Sequence, residues 1–175
     1  MWRALLAGVL VIMAISCKFE YRGDGDFVDR GPSAPVDRYV LDLGKVQPGV
    51  SEYAMGALPK AEFVLGLQIS ELPPEQAQSD TAAVAEPVEV SLVDAFGGTV
   101  LHQSISFRDW VWTCGVGDCG NAFAYLRDLR EESGAAGTYF VPRNRQPYRL
   151  QVKIPLVDFF ETHEVHLMAS SGGWK

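Results

Sequence analysis

The sequence predicts an all-β protein, an antiparallel two-sheet sandwich of immunoglobulin-like or jelly-roll type with about eight strands and at most one short helix. Three observations point there. Apolar and polar residues alternate with period two through several separate stretches, which places one face of each against a core. Turn-forming residues punctuate the intervals, and no strand–helix–strand alternation suggests a parallel sheet.

The clearest strand is 148–154, where Tyr148, Leu150, Val152 and Ile154 alternate with Arg149, Gln151 and Lys153. In 61–70, Phe63, Leu65, Leu67 and Ile69 share one face, and Glu62, Gly66 and Gln68 the other. Stretches 88–93 and 99–107 are joined by 94–98, Asp-Ala-Phe-Gly-Gly, which reads as a β-hairpin. Stretches 39–46, 51–55, 138–141 and 164–168 complete the set. The links carry Pro48-Gly49, Pro59 and Pro147, residues that favour turns. The helix expected is 121–132, with Phe123, Leu126 and Leu129 on one side. Residues 71–87, with Pro73-Pro74 and an Ala/Gln-rich run, read as a long mobile excursion. The stretch 112–137 reads as an irregular insertion at one end of the sandwich.

At the N-terminus, Arg3 precedes an uncharged apolar run, residues 4–15. As a helix this run spans ~18 Å at ~1.5 Å per residue, short of a ~30 Å hydrocarbon core. Length and flanks match a secretory signal. The run closes with Ala14-Ile15-Ser16-Cys17, which resembles the lipobox of bacterial lipoproteins, with Ala14 where that class usually has Leu. The resemblance implies that Cys17 receives a diacylglycerol, that the chain is cut before it, and that the new N-terminus is acylated. Ala14-Ile15-Ser16 also fits an ordinary cleavage site, but a lone cysteine directly after it favours the lipid. Such an anchor holds the domain on the membrane. In that class an Asp after the cysteine often marks retention at the inner membrane, so the resemblance with Lys18 in that place implies the outer membrane, facing the periplasm. The expected division is a signal peptide at 1–16, lipidated Cys17 with a flexible tether at 17–35, and one sandwich domain at 36–175.

An exported chain meets an oxidising compartment. With Cys17 taken by lipid, Cys114 and Cys119 remain for each other. They flank Gly-Val-Gly-Asp, too wide for a redox Cys-x-x-Cys, and no second ligand pair for zinc lies nearby. A disulfide clip is expected, worth about 2 kcal/mol for so short a loop.

The net charge of −7 becomes −8 once Arg3 leaves with the signal. That acidity, without a basic cluster, argues against a nucleic-acid partner. Chemistry is sparse. Arg22-Gly23-Asp24 and the acidic run Asp24, Asp26, Asp29 read as parts of a solvated tether rather than as an adhesion or calcium motif. His163-Glu164-Val165-His166 lacks one residue of the zinc-protease spacing. In a strand the two histidines face opposite ways and read as edge-of-sheet residues. His102 has Ser104 and Ser106 nearby but no evident acid, and neither a nucleophile elbow nor a phosphate loop is present. No metal or other cofactor is expected, and no enzyme.

Candidate partner-binding residues are Asp118, Arg127 and Arg130 in the clipped connection, with Trp110, Trp112 and Trp174. Trp110 and Trp112 fit either a core or an exposed platform, and Trp174 either a plug or a contact. Three classes result. The favoured one is a membrane-anchored periplasmic lipoprotein that binds another envelope protein without catalysis, as an envelope or secretion assembly part or a toxin-immunity protein. A glycan- or peptidoglycan-binding module needs aromatic residues exposed together. A cryptic hydrolase needs His102 or His163 beside a carboxylate.

Overall fold

A computed structural model describes residues 20–34, 38–115, 118–125, 139–143 and 145–171. In chain order these form β1 (Arg22–Gly23), β2 (Asp26–Asp29), β3 (Tyr39–Lys45), β4 (Gly49–Gly56), β5 (Phe63–Ile69), α1 (Pro74–Thr81), β6 (Val88–Asp94) and β7 (Thr99–Ile105). A single 3₁₀ turn (Phe107–Asp109) follows, then β8 (Val111–Gly115), β9 (Asp118–Tyr125), β10 (Tyr139–Phe140), β11 (Tyr148–Ile154), α2 (Asp158–Thr162) and β12 (Val165–Ser171). One sheet runs β1-β4-β11-β6-β7; the other runs β2-β3-β12-β5-β9-β8, with β10 also on β5. All pairings are antiparallel, so the predicted two-sheet sandwich is the observed fold.

Strand order decides between the two expected topologies. β3 pairs with β12, β4 with β11, β5 with β9 and β6 with β7. Early strands thus pair with late ones, as in one long antiparallel ribbon. The ribbon then rolls up, so that β12 also meets β5 and β11 also meets β6. This is the jelly-roll arrangement, not the immunoglobulin order.

The alternation of β11 is realised without exception: Tyr148, Leu150, Val152 and Ile154 are buried, and Arg149, Gln151 and Lys153 are exposed. The β6–β7 hairpin is built by Asp94, whose Oδ1 accepts from the amides of Phe96 (2.9 Å) and Gly98 (2.8 Å). Gly97 supplies the positive φ of 80° that the turn requires. Between the sheets lie Phe63, Leu41, Met55, Leu65, Leu67, Leu92 and Ile105, all essentially inaccessible.

Several expectations need correction. Of the tether at 17–35, residues 22–29 belong to the sandwich: β1 lies on β4 and β2 on β3. Asp24 holds this segment, its amide donating to the Ala54 carbonyl (2.8 Å) and its Oδ2 accepting from the Ala54 amide (2.7 Å). Tyr21 stacks on Phe27 at 5.4 Å and donates its hydroxyl proton to the Asp24 carbonyl. Strands of two and four residues are too short to show a period, and their aspartates look like linker.

The helix expected at 121–132 is strand β9 as far as Tyr125, and 126–132 lies outside the described residues. Ala122 and Ala124 point inward, while Phe123 points out over Gly66. The excursion 71–87 contains α1 and packs down through buried Leu72, Ala77, Thr81 and Val84. The first part of the supposed insertion at 112–137 is the β8–β9 hairpin, antiparallel and broken by one shift of register. β7 stops at Ile105, ahead of the 3₁₀ turn.

Candidate functional site

The cysteine clip sits on the β8–β9 hairpin. Cys114 lies opposite Ala122, and the next residue, Gly115, lies opposite Asp118. Cys119, Gly120 and Asn121 therefore lie at a bulge on β9, where the register with β8 shifts. The expected disulfide is present, joining Cys114 to Cys119 with Cα atoms 4.5 Å apart, and it fastens this bulge to β8. Asn121, at the end of the bulge, accepts the Glu71 amide on its Oδ1 at 2.8 Å. Glu71 has a positive φ of 57° and begins the excursion that carries α1. The clip thereby orders a connection fifty residues away in sequence. α1 in turn packs against β8, β9 and the 3₁₀ turn.

Beneath α1 runs an aromatic chain. Phe107 and Trp110 lie 4.2 Å apart between ring centres, Trp110 and Trp112 5.6 Å, Phe107 and Phe160 5.7 Å, and Phe160 and Phe159 5.4 Å. Trp110 is 3% exposed and Trp112 is partly buried against the core. Of the two readings open for this pair, the core one describes Trp110, with Trp112 packed partly buried against it. Among the described residues neither buried indole Nε1 has a hydrogen-bond acceptor. Asp118 is in β9 opposite Gly115. Cys17, Arg127, Arg130 and Trp174 lie outside the described residues.

The histidines separate into three environments. His102 stands exposed on edge strand β7. His163 is at the end of α2 rather than in a strand, stacked on Phe159 at 4.7 Å, with Nδ1 3.1 Å from the Phe159 carbonyl and 3.0 Å from Thr162 Oγ1. His166 is on β12, an interior strand flanked by β3 and β5, so the edge expectation is corrected. Its Nδ1 is 2.9 Å from Asp42 Oδ2, and its Nε2 is 3.3 Å from Glu164 Oε1. Partial burial lowers the His166 pKa, but the hydrogen bond and charge of Asp42, then those of Glu164, outweigh it and leave a net rise above 6.5.

Sequence reasoning missed this triad because Asp42 lies 124 residues away; only the fold reveals it. The carboxylates grip opposite edges of the imidazole, so they do not converge on one point as metal ligands would. With both nitrogens engaged, the ring is set to hold a proton and tie β3 to β12, not to activate a nucleophile. Among the described residues no group of three or more His, Cys, Asp or Glu side chains is arranged to hold a metal ion. Compared with models of protein families and with curated proteins, the chain matches none.

Proposed function

We propose that this protein is a membrane-anchored periplasmic lipoprotein, lipidated at Cys17, that binds another envelope protein and carries out no chemistry of its own. The observation that carries the reading is the Cys114–Cys119 disulfide. It fits an oxidising compartment and leaves the third cysteine, directly after Ala14-Ile15-Ser16, for a lipid. The burial of Trp110 and the packing of Trp112 weigh against an aromatic platform for glycans. His163 is held by the Thr162 hydroxyl and the Phe159 carbonyl, not by the carboxylate that the hydrolase reading required of it. A sandwich whose connections are pinned, by Asn121 at one end and Asp24 at another, presents ordered loops, which lowers the entropy lost on binding.

The test is expression of the full chain in a bacterial host with labelled palmitate. The wild type is expected to carry label and to fractionate with membranes, and Cys17→Ser to do neither. A wild type without label overturns the lipid anchor. Cross-linking in intact cells is expected to join the anchored chain to a discrete protein, and co-sedimentation with isolated peptidoglycan instead would transfer the reading to a glycan-binding module.

A further inference from the structure

The lipid proposed at Cys17 and the first strand of the sandwich are close neighbours in the chain. Only Lys18, Phe19 and Glu20 separate Cys17 from Tyr21. Tyr21 is fixed to the body by its stack on Phe27 and its hydroxyl bond to the Asp24 carbonyl. Arg22 then opens β1 opposite Gly56, the last residue of β4. An extended chain gains at most ~3.6 Å per residue, so Tyr21 stands within about 14 Å of the acylated cysteine.

So short a link brings one end of the sandwich to the lipid and keeps the other away. Gly56 of β4, Tyr148 of β11 and Asp94 of β6 lie at the Tyr21 end of the five-stranded sheet. Contacts between rings continue it across the other sheet, from Tyr21 through Phe27, Tyr39, Phe63 and Phe140 to Tyr148. From Tyr148 to Ile154, β11 alone extends about 20 Å at ~3.4 Å per residue. With the far end on a membrane, Tyr21 would stand higher than the link can reach.

The two ends differ in charge. Among the described residues, the Tyr21 end carries the exposed cations Arg22, Arg30, Arg38, Lys60, Arg143 and Arg145. Its acids are Glu20, 3.3 Å from Arg22, Asp29, 3.8 Å from Arg38, Glu62, and Asp94, whose Oδ1 accepts from the hairpin amides. The Arg143–Arg145 loop is held in shape: the Arg143 amide donates to the Tyr148 hydroxyl at 2.6 Å, and the Gln146 amide to the Arg143 carbonyl at 2.9 Å. At the far end the exposed acids Glu71, Glu75, Asp80, Glu86, Asp158 and Glu161 outnumber the cations Lys45 and Arg108. A chain of net charge −7 thus gathers its cations at the end nearest the anchor.

We infer that the Tyr21 end of the sandwich docks on the membrane surface, with its arginines and Lys60 against anionic phospholipid headgroups and the acidic end turned away. The inference rests on the lipid anchor at Cys17 proposed above. Anionic headgroups attract basic residues within about a Debye length of the surface, ~8 Å at physiological salt. That range is comparable with the reach of the link. An acyl anchor and a basic patch reinforce one another, because each holds the other at the surface. Docking in this way points α1 and the clipped β8–β9 turn away from the bilayer, where a protein partner can reach them.

Vesicles carrying the purified, membrane-extracted full chain test the orientation. Ala95, exposed at the β6–β7 tip of the Tyr21 end, and Ser79, exposed on α1, are replaced one at a time, Ala95→Cys and Ser79→Cys, and given the same fluorophore. With Cys17 acylated and Cys114 bonded to Cys119, the new thiol is the only free one. In vesicles of phosphatidylcholine and phosphatidylglycerol, spin-labelled headgroups are expected to quench the fluorophore at Ala95→Cys and leave that at Ser79→Cys bright. Quenching at Ala95→Cys should fall in pure phosphatidylcholine and in molar salt. It should also fall in the anionic vesicles when Arg143→Glu and Arg145→Glu are added, at unchanged unfolding temperature, and Lys60→Glu on a separate loop should act in the same direction. Mass spectrometry of the N-terminal peptide separates the two failures. An unacylated Cys17 overturns the anchor and the docking together. An acylated chain with equal quenching at both positions, or with quenching indifferent to the charge reversals, overturns the docking alone.

Discussion

β11 and β5 each run through the interior of a sheet, and both alternate apolar with polar or small residues, yet their outward sides meet different surroundings. Outside β11 the surface is solvated: Lys153 bridges to Glu89 at 2.8 Å, Gln151 donates to Glu52 at 3.0 Å, and Arg149 is exposed. Outside β5 it is closed. Val64 and Gly66 are buried on that side, as are Met168 and Ser170 opposite them on β12, and the Phe123 ring lies over Gly66. The five-stranded sheet is therefore half of a sandwich with a wet back, while the middle of the seven-stranded sheet is buried on both faces. The same periodicity serves both, because period two fixes which residues share a face but not what the second face touches.

The largest expected difference tests that contrast directly. Val64→Asp would put an unpaired charge in a closed layer, and burying such a charge costs roughly 4 kcal/mol or more. Arg149→Asp changes an exposed side chain on the wet face and should stay within about 0.5 kcal/mol. Urea unfolding of the two variants measures both effects. Similar stabilities would abolish the distinction between the faces.

Gly66 is the next largest. A Cβ there would come to 2.5 Å from Phe123 Cε1 and 2.8 Å from the Ala124 carbonyl oxygen. The ring can shift but the backbone oxygen cannot, so Gly66→Ala should cost about 1–3 kcal/mol, as overpacking does. Adding Phe123→Leu should recover only part of that loss, measured in the same unfolding experiment.

These residues also show how far the sequence could be read. β11 was legible whole, because its back is solvated and its polar residues mark every second position. β5 was legible in its inward face; Gly66 was seen only as a member of the other face, though a glycine inside a strand is a signal of close approach. β9 was misread as a helix because Ala122, Phe123 and Ala124 are too small or too apolar to show polar alternation, and its outward Phe123 serves a closed layer. β1 and β2 were invisible, being held by Asp24 and the Tyr21–Phe27 stack rather than by any period. At the candidate site, the Cys114–Cys119 clip followed from local spacing and from the expectation of an exported chain. The His166–Asp42 contact did not, since long-range pairs leave no local trace.

The clip should act on the seven-stranded sheet alone. Replacing Cys114 and Cys119 by Ser removes a short-loop constraint worth about 2 kcal/mol. Amide exchange should quicken in β8 and β9 and at the Glu71 amide, which depends on Asn121, while β4 and β11 keep their protection. Equal loosening of both sheets would mean that the clip supports the whole fold.

The smallest effect compares one ion pair from each outer face. On the wet face, Lys153 and Glu89 are 54% and 43% exposed. An ion pair so open to solvent contributes little to stability, so Glu89→Gln should change little at any pH. On the other sheet His166 is 28% exposed and Asp42 36%. Facing the imidazole are Asp42 from β3 and Glu164 just before β12, with Lys45 opposite it in register. Because the His166 pKa is raised on folding, its contribution is complete below the unfolded value of about 6.5 and disappears as the pH rises through the folded value. His166→Gln should therefore destabilise the protein near pH 6 more than near pH 8.5, by less than about 1 kcal/mol. Asp42→Asn should flatten the same pH dependence while leaving the histidine in place. The decisive measurement is the unfolding free energy against pH for the wild type and both variants. Parallel curves would show that the imidazole carries no proton between β3 and β12, and that the two outer faces differ in packing but not in charge.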